Sequence, residues 1–291
     1  RKKFMHIIKI SFLCLSFFLV NSCRFRSFLI KNFDEYLYYQ SSSIFDLDNN
    51  QKEKLDFLIE KSWRDFLCLE AENISKTLIE LKSRVQKKIT NKDITWLNNQ
   101  LKKYRLLLLE ISFPYSLDFL SGLNKEQWIS FKLYLKEKNE KLETIFQAED
   151  ENFLTIYKEF YLDRYKRIYD SLSKNEINDL FLFINMKKSK FNRYYTQRLN
   201  AQKNFILFFN KNPSKKVIKQ QLITWAKEPS SLRDGDYIRS YKEYRLSEWQ
   251  NFKYLHNIVS QERRNIISNK ISLLVADFKN ARPNDKECQS L

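Results

Sequence analysis

Apolar residues recur at intervals of three and four along most of the chain, which is the spacing of amphipathic helices. The pattern predicts six helices, over 49–88, 91–110, 124–170, 174–209, 213–228 and 237–278. The last of these is expected to break near Ser260. The longest, over 124–170, would reach about 70 Å at 1.5 Å per residue. Its predicted apolar face comprises Trp128, Phe131, Leu135, Leu142, Ile145, Phe153, Ile156 and Phe160.

Residues that end helices are scarce, with two glycines and four prolines among 291 residues. A β-rich fold needs many turns, and turns are made chiefly with glycine, proline and asparagine in specific positions. Two prolines fall at helix ends, because the second helix is expected to stop near Phe113-Pro114 and the fifth at Glu228-Pro229. The predicted fold class is all-α, an elongated antiparallel bundle of long helices.

Five predicted helix starts share one short pattern: an apolar residue, then Asp, Thr, Asn or Ser, then two polar residues, then usually Gln, Glu or Asp. This is the signature of a capping box, in which the first polar side chain and the side chain three positions later each accept a hydrogen bond from the other's backbone N–H. Arg263 replaces the second acceptor in the last copy, so that box is expected to be half formed. The predicted cap residues are Asp48, Gln51, Thr90, Asp93, Asn124, Gln127, Ser173, Glu176 and Ser260.

The start of the chain has the pattern of an export signal. Three basic residues are followed by an apolar run over 10–20 that ends at Asn21-Ser22-Cys23. This run is about half the roughly 20 residues that a membrane-spanning helix needs, so it fits a signal peptide better. The segment 19–23 resembles the lipobox of bacterial lipoproteins, which implies that Cys23 is lipidated and becomes the first mature residue. In that class a residue 24 other than Asp, here Arg24, implies the outer membrane.

These signals divide the chain into four parts. Residues 1–22 are predicted to be a lipoprotein signal peptide, 23–46 a lipid-anchored N-terminal segment, 47–282 a helical domain and 283–291 a polar tail. Two cysteines remain beyond Cys14 and Cys23, and their wide spacing indicates neither a disulfide framework nor a metal cluster. Cys68 is expected to be a core residue on a helix and Cys288 a tail residue, with a bridge between them as the less favoured alternative.

The chain is strongly basic. Its formal net charge of +17 becomes +13 once the four basic residues of the signal, Arg1, Lys2, Lys3 and Lys9, are removed. An exported basic chain is expected to meet lipopolysaccharide, phospholipid head groups or acidic proteins rather than nucleic acid. The charge is interspersed and not clustered, and the excess of Lys, Asn, Ile, Phe and Tyr is equally typical of an AT-rich genome.

The lipobox, the repeated helix starts and the segment "RYYTQRLNAQK" together are similar to a family of uncharacterised proteobacterial lipoproteins known only as a domain of unknown function. The resemblance covers nearly the whole mature chain, implies its helical fold and lipidation, and carries no activity. It makes Arg193, Gln197 and Gln202 candidate binding residues, while Asp93 and Arg263 depart from its pattern. The helix starts alone also look like the Leu-Thr-x-x-Gln signature of the Spy-type periplasmic chaperones.

No sequence motif points to catalysis. His256 is the single histidine outside the signal, and no phosphate-binding loop, nucleophile elbow or metal-ligand spacing is evident. We therefore expect no enzyme activity, no cofactor and no metal. The expected function is that of a lipid-anchored helical scaffold or adaptor of the cell envelope that binds a protein partner. The alternatives are a periplasmic chaperone-like binder of unfolded or acidic clients, and a binder of anionic envelope polymer.

Overall fold

The computed structural model describes residues 33–228, 231 and 235–289. The predicted signal peptide and Cys23 lie outside these ranges. The described residues form eleven helices and no strand, which confirms the all-α prediction. In chain order the helices are α1 (Phe33–Phe45), α2 (Asn49–Val85), α3 (Asn91–Ser121), α4 (Lys125–Gln147), α5 (Asp150–Tyr169), α6 (Lys174–Phe183), α7 (Lys188–Phe209), α8 (Lys215–Lys227), α9 (Gly235–Ile258), α10 (Gln261–Ala281) and α11 (Asp285–Cys288).

The longest element, α2, has 37 residues and is therefore about 55 Å long. Most of its neighbours run antiparallel to it. For example, α3 returns along α2, since the Thr77 and Tyr104 hydroxyl oxygens lie 2.7 Å apart and Tyr115 donates to Asp65 at 2.7 Å. One pair elsewhere runs parallel: the partners of Tyr161 and Tyr169 on α9 lie 83 to 87 positions further along the chain.

The buried side chains form two clusters stacked along the helix axes, because α2, α4 and α7 contribute to both. The smaller one, here the minor core, comprises Ile44, Phe45, Leu47, Leu55, Ile59, Leu123, Trp128, Phe131, Leu135, Phe209 and Ile218. The larger one, the major core, includes the fully buried Tyr157, Tyr161 and Tyr169 of α5. The part of the predicted N-terminal segment that is described, α1, thus belongs to the fold through Ile44 and Phe45.

Two helices that the sequence predicts as continuous are broken in the structure. The helix over 124–170 stops after Gln147, where Ala148 has an extended backbone with ψ of 140°. The helix over 174–209 stops after Phe183, and the linker to α7 buries Ile184 and Met186. Neither break contains glycine or proline. The linkers turn because their apolar side chains are buried in the major core, a tertiary effect that local propensity does not encode.

The predicted end of the second helix at Phe113-Pro114 is also wrong, because α3 continues through Pro114 to Ser121. Proline inside a helix removes one backbone hydrogen bond and leaves the carbonyl four residues earlier without its donor. That carbonyl belongs to Glu110, which is exposed to water. The segment after Pro114 packs Leu117, Phe119 and Leu120 against the minor core, which offsets the loss.

A disulfide joins Cys68 on α2 to Cys288 in α11, with Cα atoms 5.4 Å apart. The expectation of two separate cysteines is therefore wrong, and Cys68 is half-buried and not a core residue. The two cysteines are distant in the sequence but close in space, because α10 packs along α2. The contact of the Trp63 and Phe278 rings shows that α10 brings the C-terminal residues back to the middle of α2. The predicted polar tail thus includes a helical turn fixed to the bundle.

Candidate functional site

The repeated helix-start pattern forms complete capping boxes at four of its five copies. At the start of α2, Asp48 accepts the Gln51 N–H at 2.8 Å and Gln51 accepts the Asp48 N–H at 3.2 Å. At the start of α4, Asn124 and Gln127 do the same at 2.9 and 3.0 Å. Each box satisfies backbone donors that have no partner within the helix.

These two boxes also contact each other. The side-chain amides of Gln51 and Gln127 exchange hydrogen bonds, with Gln51 Nε2 donating to Gln127 Oε1 at 3.1 Å and Gln127 donating in return. Gln51 Nε2 reaches the Gly122 carbonyl at 3.3 Å and Gln127 Nε2 reaches the Asp46 carbonyl at 3.4 Å. The fifth residue of the motif, Gln51 or Gln127, therefore joins the starts of two helices in addition to capping its own.

A second pair of starts meets near the other end of α2. Glu176 accepts the Ser173 N–H at 2.7 Å, which completes the box of α6. On α10, Ser260 accepts the Arg263 N–H at 3.4 Å, and the Arg263 guanidinium extends away to Glu176 at 2.9 Å and to the Ser171 hydroxyl at 2.9 Å. Arg263 therefore leaves its own capping box half formed. Its side chain instead joins the starts of α6 and α10, as the two glutamines join the starts of α2 and α4 at the opposite end.

This pairing predicts a specific rescue. Replacing Arg263 with Gln is expected to lower the free energy of unfolding by about 1 kcal/mol, because a partly buried ion pair is lost. The double variant Arg263→Gln, Glu176→Gln recreates the pair of glutamines and is expected to recover most of that loss. Urea unfolding of the two single variants and the double variant measures the coupling. Strictly additive effects would contradict the link.

The remaining box, at Thr90 and Asp93, lies where α2 ends. Asp93 accepts the Thr90 N–H at 2.8 Å and an Arg84 N–H at 2.5 Å. Asn257 of α9 pairs with the backbone of Ile89 in both directions, accepting its N–H at 2.8 Å and donating to its carbonyl at 3.0 Å. The starts of α3, α6 and α10 and the end of α9 therefore form one polar-bonded end of the bundle, here called the distal end.

His256 is fully buried at the distal end. Its Nε2 lies 3.1 Å from the Lys87 carbonyl oxygen, which can only accept, so Nε2 carries the proton and Nδ1 accepts from the Tyr169 hydroxyl at 3.1 Å. Burial lowers the pKa of His256 to about 4. The folded protein therefore holds a neutral imidazole with both nitrogens occupied, which is a packing role and leaves no nitrogen for a substrate.

The His256 imidazole makes the distal end sensitive to acid. In the unfolded chain this group binds a proton with a pKa near 6.5, whereas in the folded chain burial holds the pKa at about 4. The unfolded state gains a proton first as pH falls, so stability is lost below about pH 6.5, by about 2 kcal/mol from about pH 7.5 to about pH 5. Urea unfolding at both pH values measures this loss. The His256→Gln variant should show about 2 kcal/mol less pH dependence, and an equal dependence would refute the assignment.

The three candidate binding residues on α7 are not gathered into one site. Arg193 is exposed and Gln197 is half-buried with its Oε1 lacking a hydrogen-bond partner among the described residues. Gln202 is buried and exchanges hydrogen bonds with Asn139 of α4, accepting at 2.8 Å and donating at 3.3 Å. Arg198 also donates to Asn139, at 2.8 Å. Gln202 therefore joins two helices and has no free face for a ligand.

A largely buried carboxylate that the sequence pattern did not indicate lies between α5 and α9. Glu248 Oε1 accepts hydrogen bonds from Tyr161 and from Arg164 at 3.1 Å, and its Oε2 accepts from Arg245 at 2.8 Å. The Tyr244 hydroxyl lies 2.6 Å from the Tyr161 hydroxyl and 3.2 Å from Glu248 Oε1, so its single proton is shared between these two oxygens. Burial raises the pKa of Tyr161 and Tyr244 well above the ordinary value of 10, so both stay protonated donors. The two guanidinium groups and the bonded pair of tyrosine hydroxyls hold the carboxylate as a cross-link of the major core.

The surface at α6 exposes apolar and aromatic side chains. Leu182 is 84% exposed, and the Phe183 ring, 40% exposed, stacks flat on Tyr254 with centroids 3.9 Å apart. Beside them lies a surface hollow of about 380 Å³ lined by Lys158, Asn178, Phe181 and Leu182. These residues, together with Phe183 and Tyr254, are here called the α6 shelf. The shelf offers apolar and aromatic surface with one ammonium group and one amide at its edge.

Neither a metal-binding group nor a single membrane-spanning helix is found in the described ranges. Among residues 33–228, 231 and 235–289, no group of three or more His, Cys, Asp or Glu side chains is arranged to hold a metal ion. No single helix there is long and apolar enough to cross a membrane, although α3 and α4 together meet the length and composition criteria across a bend of 114°. The whole chain matches no protein-family model, no curated protein and no solved structure.

Proposed function

We propose that this chain is a lipid-anchored helical scaffold of the bacterial cell envelope that binds a protein partner through the α6 shelf. Two independent features support the location. The first is the signal-like start that ends at Cys23. The second is the Cys68–Cys288 disulfide, because disulfides persist in oxidising compartments such as the periplasm and are rare in the cytosol.

The exposure of Leu182 is the observation that carries partner binding. Leu182 is 84% exposed and lines the surface hollow together with the Phe181 ring. Contiguous apolar surface rimmed by polar groups is typical of a protein-binding site. The hollow of about 380 Å³ has room for apolar side chains of a partner, and Lys158 at its edge favours a neighbouring carboxylate.

Site-specific crosslinking in intact cells tests the proposal. The photoreactive residue benzoylphenylalanine is placed at position 182, and at position 69 as a matched control, since Leu69 is also an exposed helical leucine. A discrete protein adduct is expected from position 182 alone, and Leu182→Asp should abolish co-purification of that protein while Leu69→Asp should not. Equal adducts from both positions, or none from 182, would count against the shelf.

The anchor is tested separately by metabolic labelling with an alkyne fatty acid. Label is expected on the wild type and absent on Cys23→Ala, and label that survives the substitution would refute Cys23 as the acceptor. The two alternatives predict other outcomes. A chaperone-like protein would suppress aggregation of several denatured clients at stoichiometric amounts, and a binder of anionic polymer would lose its ligand as salt is raised.

A further inference from the structure

The positive charge of the chain is concentrated in one stretch. Residues 187–227, here called the basic segment, contain eleven Lys and Arg residues and no Asp or Glu. They account for eleven of the thirteen net positive charges of residues 23–291. Elsewhere the two signs are interspersed, since basic and acidic residues number four and three in α3, five and four in α4, four and four in α5, and four and three in α9. The charge surplus therefore belongs to α7, α8 and the linkers beside them.

The basic segment presents most of its charge to water. The Trp225 ring of α8 contacts the Phe205 and Phe208 rings of α7, with centroids 5.2 and 5.1 Å apart. The apolar sides of both helices therefore meet at the minor core, and their polar sides face outward. Eight of the eleven basic side chains are exposed: Lys187, Arg193, Lys203, Lys211, Lys215, Lys216, Lys219 and Lys227.

Neighbouring helices neutralise little of this charge. The segment forms three ion pairs with the rest of the described chain: Lys188–Asp150, Lys190–Glu243 and Lys215–Asp118. Seven of the eight exposed basic side chains form no ion pair with any described residue. Charges of one sign that share one part of the surface repel each other and destabilise the compact state. An anionic ligand relieves that repulsion, which makes the basic segment a candidate site for one.

We propose that the basic segment binds a linear polyanion, an acidic glycan of the cell envelope whose phosphate or carboxylate groups pair with the exposed lysines. Lysine is a compact point charge on a flexible stem, so a flexible polymer can follow successive lysines without a pocket. Exposed Thr196 and Gln220 lie among the lysines and can form hydrogen bonds with sugar hydroxyls. A protein ligand fits this surface less well, because lysine is depleted at protein–protein interfaces.

This inference goes beyond the proposed partner, because residues 187–227 include none of the residues of the α6 shelf. The protein would hold two ligands, a protein at the shelf and a glycan along α7 and α8. The surplus of positive charge does not depend on the lipid anchor. The choice of a glycan among polyanions rests on the envelope location in the proposed function.

The experiment compares two charge-matched variants of the purified full chain. One replaces four exposed lysines of the basic segment with Gln: Lys203, Lys211, Lys216 and Lys227. The control replaces four exposed lysines of other helices with Gln: Lys54, Lys125, Lys166 and Lys279. The probe is a fluorescent oligogalacturonate, and its anisotropy reports binding. The segment variant should bind about tenfold more weakly than the wild type and the control no more than about twofold, while Lys→Arg at the four segment positions should keep the affinity.

Several results would overturn the glycan site. Equal losses from the two Gln variants would show that only total charge matters. An affinity that does not fall between about 0.05 M and about 0.5 M salt would exclude an electrostatic contact. Binding to phosphatidylglycerol vesicles through the same four lysines, without binding to oligogalacturonate, would assign the segment to lipid head groups. Leu182→Asp should leave the glycan affinity unchanged, so failure of the shelf and failure of the glycan site are separate results.

Discussion

Replacing Glu248 with alanine is expected to lower the free energy of unfolding by about 3 kcal/mol, the low end of the range for breaking a buried ion pair. The carboxylate is 12% exposed and accepts from Arg164, Arg245 and two tyrosines. Its loss removes the acceptor of the Tyr161 hydroxyl and one acceptor of each guanidinium group. Because the arginine side chains keep 26% and 27% exposure, water recovers part of the cost.

Glu243, five residues earlier on the same helix, supplies the control. It pairs with Lys190 at 3.5 Å and is 43% exposed, so Glu243→Ala should cost less than about 1 kcal/mol. Glu248→Gln retains an acceptor oxygen for the tyrosines but not the charge, and should fall between the two alanine variants. Urea unfolding measures all three, and equal losses for the two alanine variants would rule out a special role for Glu248.

Opening the Cys68–Cys288 disulfide is expected to lower the free energy of unfolding by about 4 kcal/mol, because the bond closes a long loop and restricts the unfolded chain. The sequence separation is 220 residues. The measurement uses protein with Cys14→Ser and Cys23→Ser, so no other thiol exchanges. Chemical denaturation with and without reductant compares this protein with its Cys68→Ser variant.

The losses in free energy of unfolding caused by the two cysteine substitutions should not add. Cys68→Ser, Cys288→Ser and the double variant remove the same single bond, so their losses should agree within about 0.5 kcal/mol. Reductant should bring the parent protein to the same stability and leave the variants unchanged. A parent protein whose midpoint ignores reductant would show that the cysteines are not bonded in solution.

Local features were predictable from the sequence and contacts between distant segments were not. The capping residues at Asp48, Thr90, Asn124 and Ser173 could be identified because a capping box spans only four residues. The pairing of Gln51 with Gln127, 76 positions apart, could not, because nothing in either copy specifies its neighbour. The same holds for Arg263. Its sequence position indicated only a half-formed capping box at α10, whereas its guanidinium binds Glu176 of the α6 capping box.

The buried face of α5 illustrates a signal that was present and overlooked. The predicted face continued through Ile156 and Phe160, whereas the structure buries Phe153, Tyr157, Tyr161, Tyr165 and Tyr169. A tyrosine at every fourth position is a helical stripe in its own right. Buried tyrosines need acceptors for their hydroxyls, so this stripe predicts a polar group facing it, and Glu248 is that group for Tyr161.

The parallel arrangement of α5 and α9 sets an order of assembly. Two helices joined by a short loop, such as α2 and α3, can associate as soon as both are synthesised, because closing a short loop costs little entropy. The contacts of Tyr161 with Glu248 and of Tyr169 with His256 join residues 87 positions apart, and contacts of that separation form slowly. A chain that is synthesised from its N-terminus would therefore carry an exposed row of tyrosines until residue 256 has been added, and only then bury the centre of its major core.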